Sequence, residues 1–395
     1  MENAKRTVLG SGLLWLGAAI SIAEIYTGTL IAPLGMAKGT MAVVLGHAVG
    51  GSLMYLAAMI GANTGKGAME SVKISFGEAG AKFFAILNVL QLVGWTAVMI
   101  VGGACALGVI LGYPDTHGGT SVLSAAIGAM IAVWILLDIK RFERANKFAM
   151  AGLFLLTLVL SSVVFGPKGV HTQPGTMSFG TAMELSAAMP LSWLPLISDY
   201  IRDARAPKMS AAVSSAVYFA ASCWMYVIGM GAAIYTGESD IARIMLSSGL
   251  GLAGAVIVVL STVTTTFLDA YSGGVSFSVV VGGVKEKAAA VAICAIGTLL
   301  AVTVPVESYE SYLYLISSVF GPMISVMIVD YFILRKTPFE DKLCLKNILI
   351  WTAGFVFYRL FAAVDCPIGN TLPVMAATMA LAYVADKTAR VLRRA

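Results

Sequence analysis

The sequence predicts an all-α polytopic membrane protein with about twelve transmembrane helices. Three observations carry that prediction. First, of 395 residues 58% are hydrophobic and only 12% charged, where soluble domains run near half apolar and about a quarter charged. Second, the apolar residues form long continuous runs, which suits membrane helices and not the alternating strands of a barrel. Third, the basic residues follow the topology those runs impose. With the N-terminus inside, the inside segments hold 22 of the 26 lysines and arginines. The outside segments hold three, Lys38, Lys168 and Arg243, and Arg359 lies within a span. Membrane proteins show this bias toward the cytoplasmic side, so both termini are expected in the cytoplasm. The net charge of +5 then reflects topology and contact with anionic lipid. Such a composition excludes disorder, nucleic-acid binding and an ordinary soluble enzyme.

The runs place spans near residues 10–36, 41–63, 80–112, 119–138, 147–166, 178–200, 209–236, 247–281, 287–305, 308–334, 346–364 and 370–388. The third and eighth are unusually long and therefore tilted. The first and sixth both carry polar residues and breaks in mid-membrane. Both correspondences are five spans apart. Five is odd, so the second copy would be inverted. This divides the chain into a repeat at 1–166, an inverted repeat at 167–336 and two further spans at 337–395. Paired interrupted helices in corresponding halves point to a transporter's binding site. The five cysteines show no CxxC pair and the three histidines no metal cluster. No nucleotide-binding loop is present, which excludes ATP-driven transport within this chain.

Four spans carry the chemistry. In the first, Glu24 lies near mid-bilayer, where a charge costs roughly 2.5–3.5 kcal/mol or more. It must face a polar cavity or a partner, or be protonated. Gly28 follows closely, and the expectation is that the helix unwinds there, freeing carbonyls for a cation. In the third, Gln91 and Trp95 share one helix face, an amide beside an aromatic plane, which suits a flat heterocycle. In the sixth, Pro190 and Pro195 predict a discontinuous helix, with Ser192 and Trp193 at the break. Glu184 opens this span and Asp199 closes it as a helix-end residue. In the eighth, Ser261, Thr264, Thr265 and Thr266 offer hard oxygen ligands fit for Na⁺, and Asp269 is a second intramembrane carboxylate.

Several short motifs resemble the nucleobase–cation symport-1 family. They are Ile60-Gly61-Ala62-Asn63-Thr64-Gly65 with Ser75-Phe76-Gly77, Val93-Gly94-Trp95, Asp199-Tyr200-Ile201-Arg202, Thr264-Thr265, and Asp330-Tyr331 with Arg335-Lys336. Within the family the chain is similar to cytosine permease-like proteins. Its string Ala23-Glu24-Ile25-Tyr26-Thr27-Gly28 resembles the branch associated with hydroxymethylpyrimidine transport. The resemblance implies the LeuT-like fold of five plus five inverted helices, with broken first and sixth spans, and alternating access. It implies Na⁺ between spans 1 and 8, held by carbonyls of Ile20, Ala23 and Ser261 and hydroxyls of Thr264 and Thr265. It places Trp95 on the family's stacking Trp, Ser192 on a substrate-contacting Ser, and Glu24 where the hydantoin permease has a substrate-contacting Gln. Thr266 replaces the Asn usual after the Thr pair, and Asp269 has no counterpart.

A carboxylate only accepts hydrogen bonds, whereas a carboxamide also donates. Glu24 at the substrate therefore favours a ligand with donors, such as cytosine or hydroxymethylpyrimidine, read by Glu24, Gln91, Ser192, Trp193, Thr266 and Asp269 over the Trp95 ring. The expectation is a Na⁺ symporter for a pyrimidine-type base. It is expected to be no enzyme, to act as a monomer in the bacterial inner membrane, and to have no nucleic-acid partner. Tyr312 and Tyr314 are expected near the outer gate. Proton coupling at Glu24 or Asp269 is the alternative, with another nucleobase, a purine, a hydantoin or a thiamine-like compound as other substrates.

Overall fold

In lipid a backbone group has no water to bond, so long apolar runs close their hydrogen bonds within helices. The computed structural model describes residues 5–113, 117–137, 139–166, 169–171, 176–247, 249–303, 309–336 and 342–392. Residues 167 and 337, where the predicted segments begin, and Lys168, Arg393 and Arg394 of the charge pattern lie outside the described residues. Each of the twelve predicted stretches holds helix. Eight helices are long and apolar enough to cross a membrane, nine if the bent first pair counts as one span. The other three predicted spans are helical but do not qualify on length and composition. One is split, one runs for 17 residues, Leu345–Phe361, and the last carries Asp386, Lys387 and Arg390.

The first span consists of α1 (Val8–Ala19) and α2 (Ile22–Ile31). The two parts are bent by 51°. The helix breaks at Ile20, with ψ at 82°, and Ser21 is extended. The Ser21 hydroxyl accepts from the Glu24 amide at 3.2 Å and so caps the new helix. The break thus precedes Glu24 and does not fall at Gly28 as the sequence suggested. Gly28 serves packing instead. A Cβ there would stand 2.3 Å from the Tyr226 carbonyl oxygen, and one at Gly229 would stand 2.0 Å from that of Ile25. The two glycines seat α2 backbone to backbone on α10 (Pro207–Gly231).

The second span is α3 (Met36–Thr64). It packs on α8 (Phe179–Ser192). Gly46 and Gly50 lie against Ser186 and Pro190 at separations only a glycine allows. α8 ends where Pro190 and Pro195 remove backbone donors, and α9 (Ile197–Ile201) resumes the helix. The Pro195 carbonyl in the break accepts from Asn88 at 3.0 Å.

The long helix α5 (Lys73–Leu111) turns sharply at Gly77, where φ is 74°. It follows the short α4 (Ala68–Ser71). It packs along α12 (Gly251–Val280), and both pack on α6 (His117–Leu136) and α13 (Glu286–Thr303). Helices α7 (Ile139–Val164) and α11 (Ile241–Ser247) flank this body, while α14 (Tyr309–Ile328), α15 (Leu345–Phe361) and α16 (Thr371–Leu392) pack together. The first body, of α1–α3 and α8–α10, rests against the second.

At the end holding the N-terminus the two bodies are tied. Arg202 donates to Glu286 at 2.8 Å, and Tyr200 donates to the Leu268 carbonyl at 2.6 Å. Asp199 accepts from the Ala68 amide at 2.8 Å and from the Ser272 hydroxyl. The N-terminal segment straps this closure, with Arg6 donating to the Tyr200 carbonyl and accepting from Arg205.

Candidate functional site

The two helix breaks and the middles of α5 and α12 meet at one small cavity. It is lined by Glu24, Trp95, Ser192, Trp193 and Asp269 among the residues expected to read a substrate, and by Ala23 and Thr265 among those expected to hold an ion. Its volume is about 20 Å³, room for one water and far less than a base needs. A second cavity of about 800 Å³ shares Ser21, Ala23 and Met99 with the first and carries Ile20 and Ser261 in its wall. It reaches Glu238 and Asp240 just before α11 and Arg243 within that helix, away from the tied end. Gln91, Thr264 and Thr266 line neither cavity.

The two carboxylates are set differently. Glu24 is 1% exposed and sits in the first turn of α2. Its Oε1 accepts from Tyr218 at 2.6 Å and its Oε2 from Ser222 at 2.7 Å. These two donors lie four residues apart on α10, so one helix face presents both. The Trp193 indole in turn donates to Tyr218 at 2.8 Å. Asp269 is 3% exposed on α12, and among the described residues its carboxylate has no hydrogen-bond partner. Buried polar groups nearly always have one, so a bare carboxylate facing a cavity marks a place for a ligand.

The aromatic walls are fixed by their neighbours. Trp95 meets Tyr312 edge-on with centroids 5.7 Å apart. A Cβ at Gly94 would stand 2.3 Å from the Tyr312 hydroxyl, so the bare glycine makes room for this ring. Tyr312 also donates to the Gln91 carbonyl. Trp193 meets Trp15 edge-on at 5.3 Å. The Ser192 hydroxyl bonds back to Ala188 at 2.9 Å. Gln91 is drawn away from the cavity, donating to Asn88 at 2.8 Å, while its side-chain oxygen is buried without a partner. Thr266 is fully buried with its hydroxyl likewise unpartnered.

Spans 1 and 8 do meet near the break. Thr265 donates to the Gly17 carbonyl at 3.2 Å, and Thr264 donates to that of Leu260 at 2.7 Å. The Ala23 carbonyl accepts from Thr27 at 2.7 Å. A hydroxyl that donates to a carbonyl keeps its lone pairs for a cation, so this donor set of carbonyls and hydroxyls suits a hard ion such as Na⁺. Glu184 is a structural clamp. It accepts from the Asn370 and Thr371 amides at 2.8 Å each, from the Thr371 hydroxyl at 2.6 Å and from Tyr358, and so caps α16. Sequence reasoning missed Tyr218, Ser222 and His47. His47 Nε2 lies 2.5 Å from Ser222 Oγ, and a histidine within a span was the one available signal.

The chain is similar to known transporters. The model of a family described as "Permease for cytosine/purines, uracil, thiamine, allantoin" matches residues 4–366. Cytosine permeases of Escherichia coli strain K12 and of Escherichia coli O157:H7 are each 26% identical over 344 residues, covering 85% of this chain and 80% of theirs. Among solved structures, Mhp1, a nucleobase-cation-symport-1 family transporter in a closed conformation with bromovinylhydantoin bound, superposes with a TM-score of 0.80 at 16% identity, over 98% of this chain and 94% of its own. The inward-facing conformation of Mhp1 gives 0.75 at 16% identity, over 98% and 92%. A substrate-bound outward-open Na⁺-coupled sialic acid symporter gives 0.69 at 11% identity, over 96% and 88%. The fold is thus that of Mhp1, and the chain belongs to the nucleobase–cation symport-1 family of permeases, as a multi-pass membrane transporter and not an enzyme.

Proposed function

We propose that this permease imports an aminopyrimidine-type base, cytosine or hydroxymethylpyrimidine, with Na⁺ across the bacterial inner membrane, working as a monomer with both termini in the cytoplasm. One observation carries the reading: a single cavity joins the broken end of α1 to two buried carboxylates and the Trp95 ring. A planar base stacks on Trp95. Glu24 accepts from its exocyclic amine or a ring N–H, and Asp269 takes a second donor. A ligand made only of carbonyls would face two acceptors and lose one hydrogen bond at each. Na⁺ is a second substrate. Ile20, Ala23, Ser261, Thr264 and Thr265 would hold it, and it would fix the break that presents Glu24.

The cavity is too small for a base, so binding requires the two bodies to part. In this reading the cavity of about 800 Å³ lies on the outer side and the Arg202–Glu286 tie on the inner side. Coupling needs only that base and ion favour the same occluded arrangement. A second reading, proton coupling, is favoured by the unpartnered Asp269, which can carry a proton at little cost in lost contacts.

The test is the melting temperature of the purified protein with a panel of bases in Na⁺ or K⁺. A ligand at a hundredfold over its Kd stabilises the native state by about 2.7 kcal/mol. Cytosine or hydroxymethylpyrimidine should raise the melting temperature, and more so in Na⁺. Equal stabilisation in both salts would replace Na⁺ by the proton. Stabilisation by hydantoins or purines alone would overturn the substrate class.

A further inference from the structure

The break in the sixth span is held from the opposite body. Asn88 lies on α5 and is fully buried. Its amide nitrogen donates to the Pro195 carbonyl at 3.0 Å and to the Ser276 hydroxyl at 2.8 Å, and its oxygen accepts from Gln91 at 2.8 Å. Ser276 and Gln91, on α12 and α5, are themselves buried and belong to the second body. Pro195 belongs to the first. A carboxamide has two hydrogens to donate, and Asn88 gives one to each body.

The Pro195 carbonyl is open to this bond because of the break. In an unbroken helix it would accept from the Asp199 amide. That amide bonds instead to the Leu196 carbonyl at 3.0 Å. A buried carbonyl left without a donor is costly, and Asn88 supplies the donor that the helix has lost. Asn88 precedes Trp95 by seven residues, which is two turns, so both lie on one face of α5 about 10 Å apart. The start of α5 follows α4, whose Ala68 amide is part of the tied end. Asn88 therefore lies between the cavity and that end. The broken segment it grips carries Ser192 and Trp193, two residues of the cavity wall.

We propose that Asn88 is a positioning residue that latches the sixth-span break to α5 beneath the cavity, setting the Trp193 wall against Trp95 and closing the floor toward the tied end. The proposal rests on the reading of this cavity as the base site. The base enters with the latch made, and opening of the tied end breaks it. The latch thus stabilises the arrangement that receives the base and opposes the one that releases it. Its loss lowers the fraction of protein able to take the base from outside, which weakens apparent affinity by that fraction. It does not slow the step that opens the tied end.

Three variants separate the bonds. Asn88→Leu keeps the branched shape and removes both donors and the acceptor. Ser276→Ala leaves the Pro195 bond and takes away the partner that orients the carboxamide. Gln91→Leu removes only the group that donates to Asn88. In the ligand-free, full-length protein, hydrogen exchange of the amides of residues 193–199, read by mass spectrometry, should rise about tenfold or more in Asn88→Leu, the equivalent of one buried carbonyl left unpaired. It should rise by less in Ser276→Ala and stay at the wild-type level in Gln91→Leu. Exchange in α3 and α13 should not change, whereas a general loss of structure would raise it there too. In liposomes, Asn88→Leu should raise the KM for cytosine about tenfold and hold the maximal rate at or above wild type. A merely structural defect would lower the maximal rate at an unchanged KM.

Unchanged exchange across 193–199 in Asn88→Leu, or in Ser276→Ala if the first variant does not fold, would overturn the latch. So would exchange raised equally in α3 and α13, or a wild-type KM in a variant whose break exchanges faster. Should exchange rise at the break alone while the wild-type protein takes up no cytosine, the latch stands and the reading of the cavity as the base site fails.

Discussion

Trp95 keeps its place in the cavity because the residue beside it has no side chain, and Tyr312 fills that space. If the base stacks there, Trp95→Ala should weaken binding by about 1–3 kcal/mol, the range for aromatic–base stacks. Titration calorimetry or fluorescence with the stabilising base checks this, and wild-type affinity would remove Trp95 from the site. Glu24, Trp95, Ser192, Trp193 and Asp269 were legible in the sequence because polar and aromatic residues inside apolar runs stand out. His47, Tyr218 and Ser222 were not. A lone hydroxyl in a membrane helix usually bonds back to its own helix. Only the close seating of α2 on α10 turns Tyr218 and Ser222 onto Glu24. Gln91 shares a helix face with Trp95, yet Asn88 draws its amide toward the break of the sixth span. Sequence spacing gives a face, not the partner that competes for it.

The breaks in the first and sixth spans were legible as elements, from mid-membrane polar residues and the proline pair. The position of the first break was not. Gly28 looked like a point of unwinding, but it is where two helices touch. Gly28→Ala would place a methyl 2.3 Å from the Tyr226 carbonyl oxygen, and overpacking of this kind costs about 1–3 kcal/mol. The melting temperature should fall without any change in Na⁺ dependence. The actual break is set by Ser21, whose cap presents Glu24 at a helix start. Span 1 meets α12 beside this break, where Thr265 donates to the Gly17 carbonyl, and the proposed ion site would draw on the Thr264–Thr265 pair. The double variant Thr264→Ala, Thr265→Ala should raise the Na⁺ concentration needed for half-maximal binding by about tenfold or more, each tenfold being 1.4 kcal/mol. An unchanged Na⁺ dependence would take α12 out of the ion site.

The whole molecule is two bodies tied at one end and parted by a large cavity toward the other. The helical stretches were readable from the long apolar runs, since membrane helices are specified by length and apolarity: each of the twelve predicted stretches holds helix, and eight or nine of them are long and apolar enough to cross a membrane. The ties were not, because they join residues such as Arg202 and Glu286 that are 84 positions apart. The Arg202 and Glu286 side chains are 17% and 32% exposed, so the pair is partly shielded, and removing one partner leaves the other charge half-buried and unpaired. Arg202→Ala should loosen that end. A reporter made by Leu268→Cys, on the buried side of the tie, should then react faster with a polar thiol reagent, as read by mass spectrometry. Unchanged reactivity would show that Tyr200 and Asp199 hold the closure without the ion pair.

The proposed coupling of a pyrimidine base to Na⁺ through one cavity is put to the test by uptake of labelled cytosine into liposomes containing the purified protein, under an imposed Na⁺ gradient at equal pH on both sides. Accumulation above the outside concentration, abolished when K⁺ replaces Na⁺ and reduced in Trp95→Ala, is the predicted result. Equal accumulation without Na⁺ under a proton gradient, or none of any pyrimidine under either gradient, would contradict it.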